Sequence, residues 1–148
     1  MELVNGLGSV MNTALRADIF NKFKNLGYNF RQVVHPSAII AKDCILGECV
    51  QIMAGAVVNT GTNIAANSII NTGAVVDHEC IIGSHVHIAP GVTLSGGVLV
   101  GDGSHIGAGA TVIQGVSIGR NALIGAGAVV LKDVPPNAKV VGVPARAM

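Results

Sequence analysis

A chain of 148 residues, with a formal charge near +1, is one domain by length and long enough for a real core. Half of it is apolar while only 11% is charged, and with one Tyr and no Trp it gives nucleic-acid binding no support. No run of about 18 apolar residues exists to span a membrane as a helix, and no basic segment followed by an apolar one marks a secretory leader, so the expected location is cytoplasmic.

Residues 1–33 are different in kind from the rest. Leu15, Ile19, Phe23 and Leu26 recur at helical spacing, with Asn12 or Thr13 as a cap in front and Gly27 as a stop behind. The spacing predicts a helix from about Thr13 to Leu26, then a short strand from Phe30 to Val34.

From Val34 onward, seventeen positions spaced six apart (Val34, Ile40, Leu46, Ile52 and on to Val130) are all Ile, Leu or Val. The residue four places after each of the first sixteen is small or compact: Ala38, Cys44, Val50, Ala56, and so on to Ala128. Side chains two apart on a strand share a face, so both positions point inward and the residue between them points out. Glycines crowd the remaining positions, where the chain must turn. A unit this short buries nothing alone and must stack on its copies. The pattern predicts a triangular prism of short parallel strands, eighteen residues per coil and about five and a half coils, with residues eighteen apart stacked at roughly 4.8 Å. Cys44 and Cys80 fall at inward positions and read as core residues; Cys49 falls at a corner. Asp133-Val134-Pro135-Pro136 closes the pattern, since its prolines cannot donate to a further strand.

The outward residues sort into three faces. The first is Ile39, Val57, Val75, Thr93, Thr111, Val129; the second Ile45, Asn63, Ile81, Leu99, Ser117; the third Gln51, Ile69, His87, His105, Leu123. Nine of these sixteen are Ile, Val or Leu, and exposed apolar surface on that scale predicts a partner. A homo-oligomer of cyclic symmetry, a trimer for three-sided units, is the expectation.

The register over residues 34–133, together with Gly142-Val143-Pro144-Ala145-Arg146 after it, resembles the hexapeptide-repeat acyltransferases, which implies a left-handed parallel β-helix. Asn71-Thr72-Gly73-Ala74-Val75-Val76-Asp77-His78-Glu79-Cys80 narrows the resemblance to the NeuD/PglD type of sugar O- or N-acetyltransferase. In that type an N-terminal Rossmann-like domain binds the nucleotide of a sugar nucleotide. Residues 1–33 resemble only its last helix and strand, an αβ remnant without the Gly-rich loop, while 34–148 are the β-helix domain and its C-terminal cap.

The resemblance implies that His78 is the general base and Glu79 its partner, and that a sugar amine or hydroxyl, on a UDP-linked amino sugar, attacks the thioester of acetyl-CoA directly. An imidazole, with its ordinary pKa near 6.5, suits that proton transfer. His87, Ala108 and Ala126 are the implied coenzyme contacts, the backbone N–H of Gly96 the implied donor to the acetyl carbonyl, and Asn71 a substrate contact. By register, His78 sits at the corner between the first and second faces, whereas His87, Ala108 and Ala126 gather by the third. One prism side is too wide for one chain to unite them, so the active site is expected between subunits. No metal is expected. Competing readings are a zinc enzyme of the carbonic-anhydrase type built on His85, His87 and His105, a non-catalytic trimeric scaffold, and an acetyltransferase for another acceptor such as an amino acid.

Overall fold

The computed structural model describes residues 1–148. Three short elements come first: strand β1 (Glu2–Leu3), helix α1 (Ala14–Asn25) and strand β2 (Asn29–Phe30), with β1 and β2 paired in parallel. Seventeen two-residue strands follow, from β3 (Val33–Val34) to β19 (Val129–Val130), and two more, β20 (Lys139–Val141) and β21 (Arg146–Ala147), end the chain.

Each strand from β3 to β16 (Thr111–Val112) pairs in parallel with the strand eighteen residues on, as Ile39 does with Val57 and His87 with His105. The result is three flat faces of six, five and eight strands, a parallel β-solenoid of about six turns consistent with a left-handed β-helix. The inward Ile, Leu and Val, with Ala56, Ala74, Ala110, Ala128 and Cys80 at the small positions, form one continuous core of 28 buried residues. Where the small position is polar, a carbonyl fifteen residues on satisfies it: Ser68 donates to Gly83 O and Ser104 to Gly119 O, each at 2.8 Å. The antiparallel β20–β21 pair lies on the end of the third face and stops the stack.

Two glycine positions in each turn do different work. At Gly107 an added Cβ would lie 2.6 Å from both Ala126 N and Ile124 O, so the next coil rests on the bare Cα. Gly109 has open space around it but a φ of +67°, the left-handed region.

The amino-terminal part departs from the expectation in two ways. The expected strand from Phe30 to Val34 is two strands in different sheets, because β2 pairs with β1 whereas Val33–Val34 joins the third face beside Gln51–Ile52. The helix agrees to within a residue, but its cap is divided: Asn12 Oδ1 accepts from Ala14 N, while the Thr13 hydroxyl donates to Gly103 O of the coil.

This unit is pinned to the corner between the second and third faces. Phe20 and Phe30 pack on the buried Cys49, and Arg16, 1% exposed, donates from Nε to Asn67 O and from one terminal nitrogen to the carbonyls of Asn5 and Leu7. Asn5 in turn donates to Asn67 Oδ1 and accepts from Gln51 Nε2. The third face is therefore covered, and Ile69 and His87, expected outside, are buried. Of the nine outward aliphatic residues only Ile39, Ile45, Ile81 and Leu99 remain exposed.

Candidate active site

The corner between the first and second faces carries Asp77-His78-Glu79. Asp77 Oδ1 accepts from the His78 backbone N–H at 2.8 Å and from Asn59 Nδ2, one coil below, at 3.0 Å. These two bonds, the first foremost, hold the Asp77 carboxyl below the ordinary carboxylate range. His78 O accepts from Gly97 N at 2.9 Å and so ties this turn to the next coil.

Glu79 stands at φ +57°, where the turns stacked on it place Gly61, Gly97 and Gly115. A carboxylate is thus held in a backbone region where glycine is at ease, and strain of that kind points to a use for the side chain. Its Oε2 lies 3.1 Å from His78 Nδ1, and both side chains are exposed. A carboxylate only accepts, so it selects the Nδ1–H tautomer and leaves the Nε2 lone pair free. Beneath that edge of the ring is Gly96, where an added Cβ would lie 2.5 Å from both Nε2 and Cε1. Any side chain at 96 would displace the imidazole. The Gly96 N–H itself has no acceptor within the chain.

The other expected residues meet at the corner between the third and first faces. Ala108 and Ala126 are both exposed there and stacked one coil apart, with Gly127 N donating to Ala108 O at 2.8 Å. Asn71 belongs to the same corner two coils lower, and its Nδ2 lies 3.1 Å from His87 Nε2. The other nitrogen of His87 lies 2.7 Å from the Ser9 hydroxyl. Burial, with His105 beside it as a lesser cause, lowers the pKa of His87 to about 4, so the ring is neutral at physiological pH.

Two features here were missed. The pairing of Asn71 with His87 follows from register, because Ile70 and Ile88 are neighbours across the third face. Ser9 had no signal, since nothing in residues 1–33 shares the period of six. His87, expected as an open coenzyme contact, is 6% exposed and has both nitrogens engaged within the chain.

A zinc site would need His85, His87 and His105 together. His87 and His105 do meet edge to face, with ring centroids 5.0 Å apart, but His85 turns to Asn67 Nδ2 at 2.9 Å and to the edge of Phe20. Cys49 and Cys80 are buried, and desolvation raises both thiols, against a role as nucleophile. A concavity of about 590 Å³ lies at yet another corner, between α1 and the coil, lined among others by Thr13, His85 and Lys139. The His78 group and the Ala108–Ala126 group thus occupy opposite ends of the first face.

Two family models match the coil: the bacterial transferase hexapeptide (six repeats) over residues 97–132, and the hexapeptide repeat of succinyl-transferase over 78–112. Among solved structures, PerB from Caulobacter crescentus, in complex with CoA and GDP-perosamine, is 41% identical with a TM-score of 0.91, over 94% of this chain and 67% of PerB. The acetyltransferase domain of PglB from Neisseria gonorrhoeae is 36% identical (TM-score 0.92), over 97% of this chain and 74% of that one. WeeI from Acinetobacter baumannii is 29% identical (TM-score 0.87), over 94% and 68%. With the repeat, the prism and this degree of likeness together, the chain belongs to the hexapeptide-repeat sugar acetyltransferases.

Proposed function

We propose that this chain moves the acetyl group of acetyl-CoA to the amine of a nucleotide-linked amino sugar, with His78 as general base. The observation that carries the reading is the His78–Glu79 pair over Gly96: an imidazole with its Nδ1 proton held, its Nε2 lone pair open, and a bare backbone beneath it. PerB, bound to CoA and GDP-perosamine, lends the substrate class. As the amine nitrogen bonds to the thioester carbon, Nε2 takes its proton; the C–S bond then breaks, and the proton passes from His78 to the departing thiolate. The free N–H of Gly96 steadies the carbonyl oxygen meanwhile. Ala108 and Ala126 border the pantetheine arm and leave room for it, and the buried His87 backs that corner through Asn71. Asn71 meets the acyl-donor substrate at that corner.

The site is completed between subunits of a cyclic homotrimer, with His78 from one and the Ala108–Ala126 corner from its neighbour. Residues 1–33 are read as the end of a nucleotide-sugar-binding unit: β1, α1 and β2 form a single βαβ turn, too small to be a domain. Three free cysteines and no helix long enough to cross a membrane fit a cytoplasmic enzyme.

The test is acetyl transfer from acetyl-CoA to a panel of UDP- and GDP-linked amino sugars, followed by product mass. Transfer is expected, and His78→Ala should lower kcat about 100- to 10,000-fold while acetyl-CoA still binds. Gly96→Ala, which pushes the ring aside, should do nearly the same. Full activity in His78→Ala would refute the assignment of the base.

A further inference from the structure

The N-terminal segment ends its path over the third face at Ser9, and what it touches there is His87. The hydrogen-bond directions around that ring are fixed by its neighbours. Asn71 Oδ1 already accepts from the backbone N–H of Thr72 at 2.7 Å, so the end of the amide that meets His87 is Nδ2, a donor. His87 Nε2 must then accept, and the ring proton must be on Nδ1, donated to Ser9 Oγ at 2.7 Å. This is the less common tautomer of a neutral imidazole, and it needs an acceptor on Nδ1 to persist. Ser9 is that acceptor. The amide of Asn71 has one N–H left, at the corner where Ala108 and Ala126 are exposed.

We infer that Ser9, His87 and Asn71 form a positioning relay: Ser9 fixes the tautomer of His87, His87 fixes the amide of Asn71, and the remaining Asn71 N–H donates to a carbonyl of the bound acetyl-CoA. The relay rests on the proposed coenzyme site, and it assigns a part in that site to the N-terminal segment. The segment is built to hold Ser9 in place. On one side the carbonyls of Asn5 and Leu7 are bonded by the buried Arg16, and on the other the Thr13 hydroxyl is bonded to Gly103 O. Ser9 sits between these anchors, 78 residues from its partner.

The experiment uses the full chain with its histidines labelled with ¹⁵N, read by NMR for the tautomer of His87 and by calorimetry and kinetics for acetyl-CoA. In the unaltered protein His87 should carry its proton on Nδ1. Ser9→Ala should shift it toward Nε2–H and raise both Kd and KM for acetyl-CoA about tenfold, one hydrogen bond's worth, with kcat changed less than twofold. Ser9→Thr should restore both. Asn71→Asp, which replaces the donor by an acceptor, should turn the ring to Nε2–H even with Ser9 present, and should weaken acetyl-CoA at least as much. An Nε2–H tautomer in the unaltered protein, or a Ser9→Ala chain that keeps its acetyl-CoA affinity, would overturn the relay. Should the unaltered protein bind no acetyl-CoA while its tautomer responds to Ser9 as described, the coenzyme role of the relay falls together with the proposed function, and the proton assignment stands alone as a packing feature.

Discussion

At Glu79 the demands of folding and of chemistry can be separated. The turn prefers glycine, as Gly61, Gly97 and Gly115 show in the stacked coils, and a left-handed backbone at a residue with a Cβ costs roughly 1–2 kcal/mol, of which glycine's greater chain entropy takes back 0.5–1. Glu79→Gly should therefore leave stability unchanged or raise it by up to about 1.5 kcal/mol in denaturant unfolding. Transfer should fall about 100-fold in the same protein, because the imidazole loses the group that aims it. A loss of stability in step with activity would mean that Glu79 is a structural residue. His87 gives a second test. Its folded pKa of about 4 lies below the ordinary histidine value of 6.5, so between these pH values the unfolded chain binds a proton that the folded chain refuses. Stability is then complete above pH 6.5 and is lost as pH falls toward 4, on the order of 3 kcal/mol from this group. His85 and His105, also lowered by burial, add in the same direction. Unfolding free energy measured across this range should slope with pH, and His87→Gln should flatten part of the slope.

Among the elements, the coil was legible because its rule is local and repeats: an aliphatic residue every sixth place, a small one two before it, and corner glycines between. That rule settles inward and outward, and with it the stacking partner of every strand. The N-terminal unit follows no such rule. Its attachment depends on single contacts such as Arg16 with Asn67, 51 residues away, and Ser9 with His87, 78 away, between residues that share no period. The expected strand across Phe30 to Val34 failed for the same reason, because an extended stretch does not show that its halves pair with different partners. Of the site, His78, Glu79 and Gly96 were placed together by stacking alone, whereas the burial of His87 depended on the segment that the repeat says nothing about. The two kinds of corner glycine should also part on substitution. Gly107→Ala drives a Cβ into backbone atoms at 2.6 Å and should cost several times as much as Gly109→Ala, where only the left-handed backbone, about 1–2 kcal/mol, opposes the change. Equal losses in thermal unfolding would show that the coils relax around an added methyl.

For the whole molecule, the covered third face and the bare second face divide its surfaces by use. The N-terminal unit occupies the third face, while Ile45, Ile81 and Leu99 on the second and Ile39 on the first stay exposed, the apolar surface that the proposed trimer would cover. The same geometry separates the proposed base from the proposed coenzyme corner, with His78 at one end of the first face and Ala108 and Ala126 at the other. On the proposed reading, activity requires two copies that share a site. The most direct test is subunit mixing: His78→Ala and Ala126→Trp chains, each inactive alone, are unfolded together and refolded as a mixture. If each site takes His78 from one chain and Ala126 from its neighbour, random assembly leaves about a quarter of the sites intact, and acetyl transfer should return to about a quarter of the unaltered level. No recovery from a mixture that has reassembled would contradict a site shared between subunits.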